Sequence, residues 1–357
     1  MIPDIGISNG IMSVILNYAK AMPDDIKFDV VYFHESEKTK QQEIESLGGK
    51  VYKINPPSPK GALRKDMDRF FEAHKGEWDA LHINAPHFAV FIAPAARRAG
   101  IKKICVHCHS SQFSLNPKNE KRNELFTKAG KRYVDKQFAC GRDAGRFWFG
   151  DDRNFTVLKN AIDCERYAFS QLVRDKKREE LSLGDKFTVM HIGRTDITQK
   201  NHPFILKVFA KVCGNNENSA LVLIGADRTA ELDALADDLG IADKITFLGV
   251  RNDVSELLQA GDAFLFPSIQ EGLPVSVIEA QAAGLPTVIS DAVTDEVVAT
   301  EFVTVLPLSE TPDRWADALL SAQSKERQQT TEKMQQAGWD IFKSSQTLVE
   351  YYTGEKE

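Results

Sequence analysis

Two glutamates, Glu271 and Glu279, bracket the seven residues Gly272-Leu273-Pro274-Val275-Ser276-Val277-Ile278. The apolar run Ala263–Phe266 and the turn Pro267-Ser268 precede them, and a helical pattern, Val275–Ala283, follows until Gly284-Leu285-Pro286 stops it. This arrangement suits an anionic, hydroxyl-bearing ligand. Gly272 lets the backbone approach closely. A helix start offers N–H groups and positive dipole to a phosphate. Glu279, inside the helix, can accept hydrogen bonds from sugar hydroxyls, while Glu271 stands in the loop. The plainer alternative is one solvated loop glutamate and one helix glutamate. The apolar neighbours Ile278 and Ala280 argue against it. So does the position at a strand end, where open α/β sheets bind ligands.

A second stretch, His191-Ile192-Gly193-Arg194-Thr195-Asp196-Ile197-Thr198-Gln199-Lys200-Asn201-His202, follows the strand Phe187–Ile192. Gly193 permits a tight turn. Arg194 can grip a pyrophosphate with a fork and Lys200 as a point charge. A solvated basic loop is the alternative. A third stretch, His107-Cys108-His109-Ser110-Ser111-Gln112, ends the strand Lys103–His107. Alternation puts His107 and His109 on one side, with His109 a candidate site histidine and a structural histidine the competing reading. Zinc binding by His107, Cys108 and His109 is geometrically poor, because strand neighbours point to opposite faces. Weakest is Gly6-Ile7-Ser8-Asn9-Gly10, a glycine turn that is not GxGxxG; Gly10 is its candidate ligand contact.

These loops need strands to carry them. Candidates are Phe28–Phe33, Lys50–Ile54, Ala80–Ile83, Lys103–His107, Lys136–Cys140 and Asn154–Leu158, then Phe187–Ile192, Ala220–Ile224, Ile245–Leu248, Ala263–Phe266, Thr287–Ser290 and Val303–Leu306. Helical spacing lies between them, as in Glu231–Leu239 and Val254–Ala260. Alternating strands and helices predict βαβ units and parallel sheets, and two such series predict two doubly wound domains. We place the first at 1–165, the second at 166–335, and a C-terminal helix at 336–357 that crosses back to the first. The charged stretch Arg174–Glu180 lies just past the first boundary. The chain opens on Met1-Ile2-Pro3, then the turn, then the amphipathic helix Ile11–Ala21. A first strand is nearly missing: either it lies upstream, or Met1–Pro3 is its stub.

The bulk properties agree. A chain of 357 residues exceeds what one core usually serves. Its net charge of −6 argues against nucleic acid as a partner. Five cysteines, an odd number in a long chain, make a disulfide framework unlikely; Cys105 and Cys108 have CxxC spacing but also read as a buried strand. No secretory signal or membrane-spanning run is visible, so the cytoplasm is the expected compartment.

Together these residues resemble the retaining nucleotide-sugar glycosyltransferases of GT-B type, family 4, in particular the bacterial exopolysaccharide and capsule branch. The resemblance runs from Gly6–Lys20 through His107–His109 and Gly193–His202 to Leu221–Thr294. It is most specific at Phe247-Leu248-Gly249-Val250-Arg251-Asn252-Asp253-Val254, Phe266-Pro267-Ser268 and Glu271–Pro286. It implies a GT-B fold of two Rossmann-like domains facing a central cleft, the first lacking most of its first strand. It implies that Glu279 binds the donor ribose and Glu271 the donor sugar. Arg194 and Lys200 would hold the diphosphate, and Gly193, Gly272, Leu273 and Pro274 would lie beside it. Val250 and Arg251 would meet the base, which family habit makes uridine, and His109 the sugar. The short Glu271-Gly272-Leu273-Pro274 departs from the longer segment of many relatives.

The implied reaction moves a hexosyl unit from a UDP-sugar to a saccharide or undecaprenyl-linked acceptor. Configuration is retained through a front-face displacement, with the leaving phosphate taking the acceptor proton. Cations answer the charge on the leaving group. No cofactor or metal is expected, since the acidic pair Asp151-Asp152 lies outside the proposed site. A lipid-linked acceptor would bring the protein to the inner membrane surface. Lys118–Arg122 and Lys128–Arg132 are candidate contacts, with a solvated charged face the alternative. Rival readings are a sugar-nucleotide epimerase, a phosphorylase, and a nucleotide-sugar-binding homologue that assists a partner. A dehydrogenase lacks its GxGxxG.

Overall fold

The computed structural model describes residues 1–7, 9–56, 61–114, 116–195, 199–323 and 326–354. Ser8 of the first glycine turn and Asp196–Thr198 of the second motif lie outside the described residues. The chain forms two compact units, Met1–Ala161 with Ile341–Glu357, and Ile162–Asp340. The boundaries therefore fall after Ala161 and Asp340, where the sequence reading put them after 165 and 335.

Unit 1 runs α1 (Gly10–Lys20), β1 (Val30–Tyr32), α2 (Gln41–Ser46), β2 (Val51–Lys53), α3 (Gly61–Ala73), β3 (Ala80–Ile83), α4 (Ala89–Arg98), β4 (Lys103–Cys108), α5 (Pro117–Gly130), β5 (Lys136–Ala139), α6 (Arg142–Phe149) and β6 (Thr156–Val157). Its strands are all parallel, in two sheets: β1-β2 and β3-β4-β5-β6. Met1–Pro3 sits between the two. Ile2 bridges Tyr32 in parallel. Its N–H donates to the Val31 carbonyl at 3.0 Å, and the Asn84 N–H donates to the Met1 carbonyl at 2.9 Å. Met1–Pro3 thus bonds the facing edges of β1 and β3 without joining the two sheets into one. Ile2 and Ile5 are fully buried with Met12, Leu16 and Val30.

Unit 2 runs α7 (Cys164–Tyr167), α8 (Gln171–Glu180), β7 (Phe187–Ile192), α9 (His202–Asn215), β8 (Ser219–Ile224), α10 (Ala230–Asp238), β9 (Ile245–Phe247), α11 (Val254–Leu257), β10 (Ala263–Phe266), α12 (Val275–Ala282), β11 (Thr287–Ser290), β12 (Val303–Leu306), α13 (Pro312–Leu320) and α14 (Thr331–Gln336). Its parallel sheet has the order β9-β8-β7-β10-β11-β12. The order reverses between β7 and β10, the place where doubly wound sheets open a crevice for ligands. Strands β8 and β10 are buried at every position. Such continuous apolar runs follow from helices covering both faces. Phe209, Leu221, Leu265 and Trp315 lie at the centre of this core.

The charged stretch on α8 is not a solvated face. Lys177 and Arg178 are buried. Arg174 donates to the Gly261 carbonyl and pairs with Asp262, and Arg178 donates to the carbonyls of Ala260 and Lys186. Arg327 donates to the carbonyls of Leu258 and Gln259. These guanidiniums bond main-chain carbonyls that lead into β7 and β10, where buried acceptors need partners.

The chain returns to unit 1 with α15 (Ile341–Thr353). The Tyr18 hydroxyl bonds Ser344 Oγ at 2.7 Å, and His82 Nδ1 bonds the Tyr352 hydroxyl at 2.7 Å. The Lys103 ammonium donates to the Tyr352 carbonyl at 2.6 Å.

Candidate active site

In unit 2 the loops leaving β7 and β10 meet at the switch point. Lys200 Nζ lies 2.6 Å from Glu271 Oε1, with the side chains 14% and 8% exposed. Ser268 Oγ donates to the same Glu271 oxygen at 2.8 Å. Lys200 also stands 4.6 Å from the centre of the Phe266 ring, a cation–π distance. Gln199 links the loops again: its carbonyl accepts the Ile269 N–H at 2.8 Å, and its amide donates to the Gln270 carbonyl at 3.1 Å. Arg194 is exposed, and its guanidinium donates to Gln199 Oε1 at 3.4 Å.

Gly193 is needed for close approach. A β-carbon there would lie 2.8 Å from His191 Nε2 and 3.1 Å from both Cγ and Cδ of Lys200. The loop after β8 packs against it, since a β-carbon on Gly225 would come within 3.4 Å of the Gly193 carbonyl. The Gly225 N–H donates to the Gly249 carbonyl at 2.6 Å, and Thr195 Oγ1 exchanges hydrogen bonds with the Asp227 main chain at 2.8 and 2.7 Å. The ends of β7, β8, β9 and β10 therefore form one continuous rim.

Of the helices that follow these strands, α9, α11 and α12 begin without a side-chain cap, and α9 and α12 are the two that follow β7 and β10. The cap position of α9 is Asn201, left-handed at φ +61 and unbonded to the helix through its side chain; that of α12 is Pro274. In the same unit α8, α10 and α13 are capped by Ser170, Thr229 and Thr311. An uncapped helix start presents N–H groups and partial positive charge to an anion. A left-handed asparagine costs conformational energy, and such strain concentrates at ligand sites. Gly272 lies in the loop before α12, and Leu273 and Pro274 are buried there.

Glu279 is on the second turn of α12, about 6 Å along the axis from Val275. It makes no hydrogen bond to the Lys200–Glu271 pair. Its Oε1 accepts from the Tyr167 hydroxyl at 2.6 Å. Burial raises the Glu279 carboxyl above its ordinary range, against the pull of Tyr167 and Arg166. Burial, and then the Glu279 charge, push the Tyr167 phenol far up, so it keeps its proton and donates. Tyr167 was invisible to sequence reasoning, because 112 residues separate it from its partner. Ser268 and Gln199 lay inside the motifs but had no assigned role.

Val250 and Arg251 follow Gly249, whose φ is +58. Val250 is 41% exposed. The Arg251 fork is held by Asp253 at 2.8 and 2.7 Å and reaches Glu180 at 3.4 Å. This engagement leaves the loop backbone and Val250 as the open elements there.

His109 and Gly10 belong to unit 1. Gly10 is the first residue of α1, which Asn9 caps by accepting from the N–H groups of Ile11 and Met12. His109 follows β4, and its Nε2 donates to Asn84 Oδ1 at 2.8 Å. Its ring centre is 4.0 Å from that of His107, the same-side placement that alternation predicts. Burial lowers His109 to about 4, so the ring is neutral at pH 7. Cys105 and Cys108 are buried in β4 with thiols pushed up by burial, which makes them inert. Asp151 and Asp152 pair with Arg153 and Arg146.

Comparison with known proteins places this geometry in a family. Residues 173–339 match the family model described as glycosyl transferases group 1. EpsF of Bacillus subtilis, named as a glycosyltransferase without a stated substrate, is 30% identical over 96% of this chain and 93% of that protein. The Escherichia coli UDP-Gal:alpha-D-GlcNAc-diphosphoundecaprenol alpha-1,3-galactosyltransferase is 27% identical over 64% of this chain and 63% of that protein. Among solved structures, Anabaena HepE in complex with UDP and glucose has a TM-score of 0.79 at 18% identity, covering 99% of this chain and 98% of that one, which speaks for the fold. With a 30% identical relative along nearly its whole length and the GT-B architecture in both units, the chain belongs to the glycosyl transferases of group 1.

Proposed function

We propose that this protein is a retaining hexosyltransferase that takes a sugar from a UDP-sugar and passes it to a saccharide or undecaprenyl-linked saccharide during exopolysaccharide or capsule synthesis. The carrying observation is the Lys200–Glu271 pair at the β7–β10 switch point, beside two helix starts without side-chain caps. The bond between the anomeric carbon and the β-phosphate oxygen breaks. The acceptor oxygen attacks from the same face, and its proton passes to the leaving phosphate. Negative charge then grows on the diphosphate, where Lys200, Arg194 and the starts of α9 and α12 meet it. This cationic set supplies what a divalent metal would, so the reaction is metal-independent. Glu271 receives hydroxyls of the transferred sugar. Its oxygen is already shared by Lys200 and Ser268, which suits an acceptor of hydrogen bonds better than a nucleophile. Glu279, fixed by Tyr167, receives the ribose hydroxyls, and the loop at Val250 lies against the base. His109, a neutral imidazole, serves the acceptor side.

The relatives support this choice of substrates. HepE was crystallised with UDP and glucose, and the Escherichia coli relative is named for a UDP-galactose donor and a diphosphoundecaprenol acceptor. No helix among the described residues is long and apolar enough to cross a membrane. We assign the protein to the cytoplasm, reaching a lipid-linked acceptor from the membrane surface through α5. That helix exposes Lys118, Lys121 and Arg122 around Leu125, itself 63% exposed. The test is nucleoside diphosphate release from a panel of UDP-sugars, with free and undecaprenyl-diphosphate-linked saccharides, with and without chelator. Release that needs an acceptor, survives chelation and yields a product of unchanged anomeric configuration is expected. Donor binding without transfer to any acceptor of these classes would count against the proposal.

A further inference from the structure

The ladder between β7 and β10 stops before either strand does. Its paired residues are Val189–Ala263 and Met190–Phe264. On its other edge β7 continues against β8 as far as Ile192–Ile224, and β10 continues against β11 as far as Phe266–Ile289. In a continued parallel ladder the Leu265 carbonyl would accept the next main-chain N–H of β7. It accepts instead from the His191 side chain, whose Nδ1 lies 2.9 Å away. A carbonyl only accepts, so Nδ1 carries the proton and Nε2 a bare lone pair. His191 therefore takes the acceptor that the next rung would use. The strand ends that stay unpaired here are the ones that lead to Lys200 and Glu271.

The His191 ring is fully buried among the groups that build the site. It stacks with Phe266 at 5.7 Å between centres and 26° between planes, and Lys200 stands 4.6 Å from the Phe266 centre. It meets His202, the first residue of α9, edge-on at 5.1 Å. Nε2 faces the Gly193 turn, where a β-carbon would lie 2.8 Å from it and 3.1 Å from the Lys200 stem. Among the described residues Nε2 has no hydrogen-bond partner. Burial holds the imidazole well below its ordinary basicity. The charges of His202 and Lys200 act the same way, and the bond to Leu265 opposes them. The neutral ring keeps a second cation away from Lys200.

We infer that His191 is a positioning residue of the diphosphate site: by donating to the Leu265 carbonyl in place of a ladder bond, it spaces β7 from β10 and sets Lys200 where the diphosphate binds. The inference rests on the reading of Lys200 as a ligand of that diphosphate. One side chain reaches every part concerned: the Gly193 turn, the start of α9 and, through Phe266, the ammonium. A further rung in its place would draw the ends of β7 and β10 to the roughly 4.8 Å of paired strands. That would narrow the gap between the two loops. Small shifts of this kind matter, since a displacement of about 1 Å can lower a rate by about a hundredfold.

Two variants separate the bond from the ring. His191→Phe keeps a ring and loses the Nδ1 donor. His191→Asn loses the ring but carries an amide nitrogen on the same Cγ, within reach of the same carbonyl. Both are titrated with UDP and with uridine, beside the parent, Lys200→Met, and Lys200→Met combined with His191→Phe; thermal midpoints are recorded for all. His191→Phe should bind UDP roughly tenfold more weakly and uridine as before, because only UDP brings the diphosphate. His191→Asn should bind UDP nearly as the parent does, although the space left by the ring makes it the less stable variant. On the Lys200→Met background His191→Phe should weaken UDP no further, because it acts through the ammonium. Parent-like UDP binding by His191→Phe overturns the inference. So does equal weakening of UDP and uridine, a full further loss on the Lys200→Met background, or His191→Asn binding UDP as weakly as His191→Phe. If Lys200→Met itself binds UDP like the parent, the reading of Lys200 fails first, and this inference falls with it.

Discussion

Replacing Lys200 tests two roles at once, and the structure shows how to separate them. At 2.6 Å and an effective dielectric of about 20, the Lys200–Glu271 attraction is about 6 kcal/mol before desolvation is subtracted. Desolvation offsets most of this, so the intact pair adds little net stability. Lys200→Met nevertheless leaves the Glu271 carboxylate, 8% exposed, with Ser268 as its one remaining partner among the described residues. Stranding a buried charge costs about 3–5 kcal/mol, a large share of a typical 5–15 kcal/mol total. The single variant will therefore be less stable as well as slow. Adding Glu271→Gln removes the stranded charge and should recover most of the stability. It should not recover Lys200's part in catalysis: loss of a charge-stabilising group costs about 10²–10³ in turnover, or about 3–4 kcal/mol. The assay is a double-mutant cycle on urea midpoint and on kcat for nucleoside diphosphate release. Glu271→Gln alone serves as the reference for kcat, since Glu271 is itself assigned to the sugar. If Lys200→Met on the Glu271→Gln background turns over within a few-fold of Glu271→Gln alone, Lys200 does not stabilise the leaving diphosphate.

Glu279→Gln should weaken donor binding by roughly tenfold or more, as loss of a charged acceptor does, and titration with nucleoside diphosphate measures it. The same change should alter the pH dependence of stability. A carboxyl raised by burial binds more protons folded than unfolded, so stability falls as pH rises from the ordinary glutamate range through the raised value; the glutamine variant should flatten that fall. Tyr167→Phe removes the hydroxyl 2.6 Å from Glu279 and should raise the donor KM by roughly tenfold with little change in kcat. An unchanged KM would show that Tyr167 does not set the Glu279 carboxylate. Gly193→Ala forces a methyl to within 3.1 Å of the Lys200 stem, and should lower kcat/KM by roughly ten- to a hundredfold while the thermal midpoint moves only a few degrees. A larger loss of stability than of activity would mean that His191, not Lys200, takes the strain.

Most of the strand pattern is visible in the residue order. The runs at β7, β10, β11 and β12 are rich in β-branched or aromatic residues, and these runs and β3 end where the observed strands end. The expected strand Phe28–Phe33 shortens to Val30–Tyr32, the three residues that pair with Val51–Lys53 of β2. The two motifs of unit 2 were each legible, but not that Lys200 and Glu271 touch. That contact comes from β7 and β10 being neighbours, a property of sheet order that local spacing does not encode. The burial of Lys177 and Arg178 was hidden for the same reason: their acceptors include the Asp253 carboxylate and the Ala260 carbonyl, more than seventy positions away. Glu279 was found from its apolar surroundings, whereas Tyr167 had no local signal at all.

The course of the chain also sets an order of assembly on the ribosome. Unit 2 is an insertion: residues 162–340 are made between the main body of unit 1 and α15. At roughly 5–20 residues per second, those 179 residues occupy about 10–40 s of synthesis. Through that interval Tyr18, His82 and Lys103 await Ser344 and Tyr352. A nascent chain halted before α15 therefore holds a finished unit 2 and an unfinished unit 1, open to chaperones.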